Sequence, residues 1–239
     1  MSELPALVLL HGFTNTGACW EPVITAGARE RYRPIAPDIR GHGASSGLTP
    51  VTLDAVIADL SALAPARFAL AGYSMGGRIA LHAALALPDR IESLFLLSAS
   101  PGLADPEQRR VRRQADERLA ARFQSATIDE LASSWAETPV LAGLEPEVAA
   151  AARADRLRNT PEGLARALRG LGTGALPSLW DRLGELGMPV TLAAGERDTK
   201  FATIARQMAE RVPQSSIALI PAAGHAAHLE NPKAVSALI

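Results

Sequence analysis

Cysteine is almost missing from this 239-residue chain: Cys19 stands alone, so no intrachain disulfide can form. That agrees with a reducing compartment. Lysine is nearly absent too, with two residues against 22 arginines, so arginine carries the positive charge. No charge of one sign is in excess. The formal net charge of -1 provides no overall positive field to attract a nucleic acid. Long apolar runs are lacking as well. The run Ala6 to Leu10 is far short of the roughly 20 residues that cross a bilayer. The opening MSELPALVLLHG has no basic segment ahead of a signal-type apolar core. A cytoplasmic protein with no membrane insertion is expected. There is no internal repeat and no low-complexity tract. What is present is ordinary globular material, 48% hydrophobic. The length suits one large α/β domain, or a core with an insertion.

Short apolar runs recur, each followed by a turn signal or a helical pattern. Buried strands are predicted at Ala6 to Leu10, Arg67 to Ala71, Ile91 to Leu97, Met188 to Ala194 and Ser215 to Ile220. Near-continuous apolar strands suit a parallel sheet covered on both faces. Helical patterns lie between them, as at Leu53 to Leu63 and Met75 to Leu87. The alternation implies a doubly wound α/β architecture. One stretch breaks the rhythm. From about residue 103 to 175 the periodicity is helical and no strand is evident. Leu119 with Phe123, and Leu131 with Trp135, would share helix faces. The expectation is a core of residues 1–102 and 176–239 with a helical lid at 103–175.

Gly72-Tyr73-Ser74-Met75-Gly76 fits G-x-S-x-G, and it lies between a predicted strand and a predicted helix. A serine on so sharp a turn needs small neighbours two residues before and after. The helix that follows points its amides and positive dipole end at the reacting atoms. A serine hydroxyl needs a base, and the base needs an orienting acid. On an α/β-hydrolase fold the order is Ser, then Asp or Glu, then His. Asp198 follows the fourth predicted strand and His225 the fifth, at the carboxyl ends where such sheets build their sites. Glu196 is the rival acid and His228 the rival base. The residue after His11-Gly12 and the residue after the serine are the expected oxyanion donors, so the Phe13 and Met75 amides are assigned to that place. His11 and His42 are expected to be structural, Cys19 a small buried filler, and Trp20 and Trp180 packing residues. Lys200 is read as a surface or helix-start residue beside Asp198. Arg78 lies four residues after Ser74, on the same helix face.

HGFTNTGACW, DIRGHGASS, GYSMGGRIAL, AGERDTKF and AGHAAHLENP together resemble the 2-succinyl-6-hydroxy-2,4-cyclohexadiene-1-carboxylate synthases of menaquinone biosynthesis, a branch of the α/β-hydrolases. The resemblance runs over nearly the whole chain, including the lid segment SPGLADPEQRRVRRQADERLAARF. It implies a carbon–oxygen lyase rather than a hydrolase. Ser74, Asp198 and His225 would act as a base that removes a ring proton and expels the enol of pyruvate, with no metal and no organic cofactor. The substrate implied is a small polycarboxylate, and arginine forks suit carboxylates. The resemblance puts Arg78, Arg112 and Arg158 on substrate-binding arginines, and Tyr73 and Trp135 on pocket residues. Arg110 and Arg113 are read as a solvated face.

Two other readings stand beside this one. A carboxylesterase or thioesterase would use the same three residues through an acyl-enzyme. A non-catalytic ligand-binding module could occupy the same fold, since fold does not fix function, but it would have no need of all three. A cationic pocket favours the polyanionic substrate over a neutral lipid ester.

Overall fold

The computed structural model describes residues 4–141 and 143–239. Six strands form one sheet: β1 (Ala6–Leu10), β2 (Arg33–Ile35), β3 (Phe68–Tyr73), β4 (Ile91–Leu97), β5 (Val190–Gly195) and β6 (Ser215–Ile220). Their order is β2-β1-β3-β4-β5-β6. Every pairing is parallel. Side chains alternate between the faces, as the pleat requires. Val8, Leu10, Leu70, Leu94 and Leu192 point into one core. Leu7, Leu9, Ala71, Phe95 and Ala193 point into the other. The first face is covered by helices α1 (Leu53–Leu63) and α2 (Met75–Ala86). The second is covered by the helical turns that carry Trp20, Val23 and Ile24, and by Val235 near the C-terminus. The central strands are therefore largely apolar because both sides are buried.

The two edges differ from the expected pattern. β2 lacks an apolar run, so no pattern in the sequence announces it. It is three residues long, with Arg33 exposed and Pro34 inside it. Proline is tolerated there because an edge strand need not donate on both sides. β6 is present where expected but is not covered on both faces, since Ile217 and Leu219 are 45% and 40% exposed.

Between β4 and β5 lies a helical insert: α3 (Pro106–Gln124), α4 (Ile128–Ala136), α5 (Pro146–Arg156) and α6 (Pro161–Leu171). Three of its helix starts are written in the sequence. Asp105 accepts from the Glu107 and Gln108 amides. Thr127 and Glu130 form a capping box. Thr160 accepts from the Gly163 amide. Such caps satisfy amides that a helix start leaves free. Phe123, Leu131, Leu164 and Leu168 gather into a core of the insert's own, against which Leu119, Trp135 and Phe13 lean. After β5 comes α7 (Thr199–Ala209), and α8 (Pro232–Leu238) follows β6. No helix among the described residues is long and apolar enough to cross a membrane.

Candidate active site

Ser74 sits between the end of β3 and the start of α2, at φ 52° and ψ -110°. A non-glycine residue with positive φ costs of order 1–3 kcal/mol and persists only where its surroundings enforce it. The enforcement is visible. A Cβ on Gly76 would lie 2.3 Å from the Leu10 carbonyl oxygen and 2.4 Å from that of His11. One on Gly72 would lie 2.5 Å from the Gly76 oxygen. The absent side chains let α2 start against the sheet, so the bend projects the serine above the strand ends. The Ser74 amide donates to the Leu97 carbonyl at 2.9 Å, which ties the bend to β4.

Two further loops bring their residues to Ser74. Its Oγ lies 3.1 Å from His225 Nε2, and His225 Nδ1 lies 2.7 Å from Asp198 Oδ2. An ionised carboxylate can only accept, so Nδ1 carries the proton and Nε2 is free to accept from the hydroxyl. Asp198 also accepts from Ser98 Oγ at 2.9 Å and from the Phe201 amide at 3.4 Å. Burial alone would raise the Asp198 pKa. The His225 hydrogen bond and charge, with the Ser98 and Phe201 donors, outweigh it and hold the carboxyl below its ordinary value. The rivals are elsewhere. Glu196 is exposed and accepts from the Ala222 amide. His228 is fully buried behind Tyr73, ring centroids 4.1 Å apart. Burial, then the neighbouring His225, lowers its pKa to about 3, so it stays neutral.

Phe13 and Met75, whose amides are the expected oxyanion donors, line a cavity together with Ser74. Among the described residues, neither amide donates to a protein acceptor. His11 braces the loop that carries Phe13: its Nε2 accepts from the Ile39 amide at 2.9 Å, and its Nδ1 lies 2.8 Å from the Gly12 oxygen. His42 packs edge-on to both His11 and Phe13, in agreement with a structural reading.

A cavity of about 340 Å³ opens on Ser74, and Arg78, Arg112 and Lys200 are among the residues that line it. Arg78 is buried and its Nε has no partner. Burial first, then the Arg112 charge, lowers its pKa to about 10, so it remains charged at neutral pH. Arg112 donates to the buried Asp116 at 2.7 Å. Lys200 occupies the start of α7, as expected, and it also faces this cavity. A second cavity, of about 100 Å³, meets the first at Phe13, Ser74, Trp135 and His225, and Tyr73 and Arg156 line it. Burial raises the Tyr73 pKa further than the nearby charges do, so its phenol stays protonated.

Arg158 is a correction. Its side chain is 65% exposed, lies 3.9 Å from Asp155, and lines neither cavity. Arg156, two residues earlier, lines the smaller cavity instead. It is 3% exposed and its Nε has no partner. Burial lowers its pKa, with Tyr73 and Asp155 acting the other way. The sequence held a signal for this. Arg156 follows Ala152 at i+4 on the buried face of α5, whereas Arg158 falls past the helix end.

Known proteins share this fold. Residues 7–238 match the alpha/beta hydrolase family. The 2-succinyl-6-hydroxy-2,4-cyclohexadiene-1-carboxylate synthase of Salmonella paratyphi C is 35% identical over 238 residues, covering 97% of this chain and 90% of that protein. The structure of MenH from S. aureus superposes with a TM-score of 0.92 at 33% identity, covering 100% of this chain and 92% of that one. A thermophilic esterase from Thermogutta terrifontis, with malate bound, reaches 0.79 at 28% identity, over 100% and 89% of the two chains. By sequence and by fold, the chain belongs to the alpha/beta hydrolase family.

Proposed function

We propose that this protein is a carbon–oxygen lyase that eliminates pyruvate from 5-enolpyruvoyl-6-hydroxy-2-succinyl-cyclohex-3-ene-1-carboxylate to give 2-succinyl-6-hydroxy-2,4-cyclohexadiene-1-carboxylate. The observation that carries the proposal is a hydrogen-bonded Asp198–His225–Ser74 set opening on cavities lined by Arg78, Arg112 and Arg156. The named relatives with this fold and 33–35% identity support it.

The substrate proton at C2 is acidic because the succinyl carbonyl is adjacent to it. His225 draws the hydroxyl proton of Ser74 while Asp198 holds its ring and its charge, and the pair removes the C2 proton. Electrons shift from C2 through the ring double bond, and the C5–O bond breaks. Enolpyruvate leaves, takes up a proton and becomes pyruvate. Negative charge builds on the succinyl oxygen during the shift, and the Phe13 and Met75 amides are the donors available for it. Arg78, Arg112 and Arg156 receive the carboxylates in place of water. Tyr73 and Trp135 wall the ring.

The test is pyruvate release from the intermediate, followed by coupled oxidation of NADH. Ser74→Ala is expected to lower it roughly a thousandfold or more. Full activity in that variant would overturn the assignment. The esterase reading has one observation in its favour, since the same three-residue geometry suits acyl transfer. Rapid cleavage of a short aryl ester with no pyruvate formed would decide for it.

A further inference from the structure

We propose that Asp155 and Asn159, on the helical insert, are positioning residues that set the Phe13 amide and Arg156 as one unit. Both are buried. The Asp155 carboxylate accepts from the Thr16 amide at 2.9 Å, from Asn15 Nδ2 at 3.2 Å, and from Thr16 Oγ1. Asn159 Nδ2 donates to the Thr14 carbonyl at 2.8 Å and to the Arg156 carbonyl at 3.0 Å, and its Oδ1 accepts from the Gly43 amide at 3.0 Å. The bonds to the loop after β1 join positions about 140 residues apart in sequence, and on that loop they all involve the three residues that follow Phe13.

The arrangement is more than a generic tie. Thr14 holds a positive φ of 68°, a conformation that needs enforcement, and the Asn159 side chain fixes its carbonyl. A buried carboxylate is costly unless it is hydrogen-bonded, and Asp155 finds its donors on this loop. Arg156, which lines the smaller cavity, lies between the two anchors in sequence, and its own carbonyl is held by Asn159. Any slack between insert and loop would therefore displace an oxyanion donor and a substrate cation together. Displacements of an ångström at such groups cost large factors in rate.

This inference rests on the proposed roles of Ser74 and the Phe13 amide, and the experiment separates the two. A neutral fluorophosphonate labels a reactive serine and puts its phosphoryl oxygen where the amides point, so it reads the loop without any carboxylate. The variants are Asp155→Asn, Thr16→Val and Thr16→Ser, each with its melting temperature measured. Labelling is expected to slow about tenfold or more in Asp155→Asn and Thr16→Val. Thr16→Ser keeps the hydroxyl and the wild-type rate. With the polycarboxylate substrate, kcat falls through the amide and KM rises through Arg156 in the same two variants. Labelling and kcat within twofold of wild type in folded Thr16→Val and Asp155→Asn would overturn the inference. If Asp155→Asn does not fold, the same result in Thr16→Val alone overturns it. A wild-type serine inert to the reagent would instead overturn the role of Ser74 on which it rests.

Discussion

Two arginines separated by a single residue behave differently at this site. Arg156 is buried against the smaller cavity, and Arg158 lies in solvent at the end of α5. If Arg156 receives a carboxylate, Arg156→Ala should raise KM for the polycarboxylate substrate roughly ten- to hundredfold, the worth of a hydrogen bond to a charged group. Arg158→Ala should stay within about twofold. Steady-state pyruvate kinetics on the two variants check this, and equal effects would contradict the assignment. The pair also marks where sequence reading stops. Ser74, Asp198 and His225 can be found because each lies within five residues of a strand's carboxyl end, so strand ends locate them. Arg78 can be found because helix geometry relates it to Ser74. The arginine of α5 cannot be found by motif, because the resemblance points to Arg158, just past the end of the helix. Burial picks the residue, and burial is decided by how the insert packs on the loop after β1.

Among elements, the insert matters most to the site. Phe123 of α3 is buried and stacks on Phe13 with ring centroids 6.1 Å apart. Trp135 of α4 meets Phe13 edge-on at 5.0 Å. The insert's core therefore continues into the loop that carries the Phe13 amide. Phe123→Ala should cost about 3–5 kcal/mol, as a buried aromatic truncation does, and should also lower kcat/KM for pyruvate release. Thermal denaturation and kinetics on one preparation would check both, and lost stability with unchanged kcat/KM would disconnect the insert from the chemistry. The four central strands are legible because each is mostly buried on both faces and reads as a largely apolar run. β2 is not. At three residues, with a proline and an exposed arginine, it has no pattern to read and exists because β1 offers it a free edge. The insert's helices are legible as periodicity, through Leu119 with Phe123 and Leu131 with Trp135. Their packing is not, because periodicity names a face without naming its partner.

At the scale of the whole molecule, acid should be the weakness. Burial pushes down the pKa values of His11, His42, His82 and His228, to about 4 for His82 and about 3 for His228. The unfolded chain takes up these protons near pH 6.5, while in the folded protein His42, His82 and His228 take them up only well below that, and His11 below it. The unfolded state then binds more protons, so stability falls as pH drops from about 6.5 toward 4. The slope is roughly 1.4 kcal/mol per pH unit for each histidine that is protonated in the unfolded chain and still neutral in the folded one, as His82 and His228 are over most of that range. Asp198, held below its ordinary value, adds a loss in the same direction only once the pH falls through the carboxylate range. Urea midpoints at pH 7, 6 and 5 should decline in step, and a flat series would contradict the burial of these rings. The two cavities that converge on Ser74 have a different consequence for the molecule as a whole. With guanidinium groups down each branch and the hydroxyl at their junction, and if those groups receive carboxylates as proposed, a guest anionic at one extremity would be gripped in one branch and would swing freely in the other. A guest anionic at both extremities would be stretched across the fork, with its middle over the serine. Selection would then depend on how far apart a molecule carries its charges as much as on what those charges are.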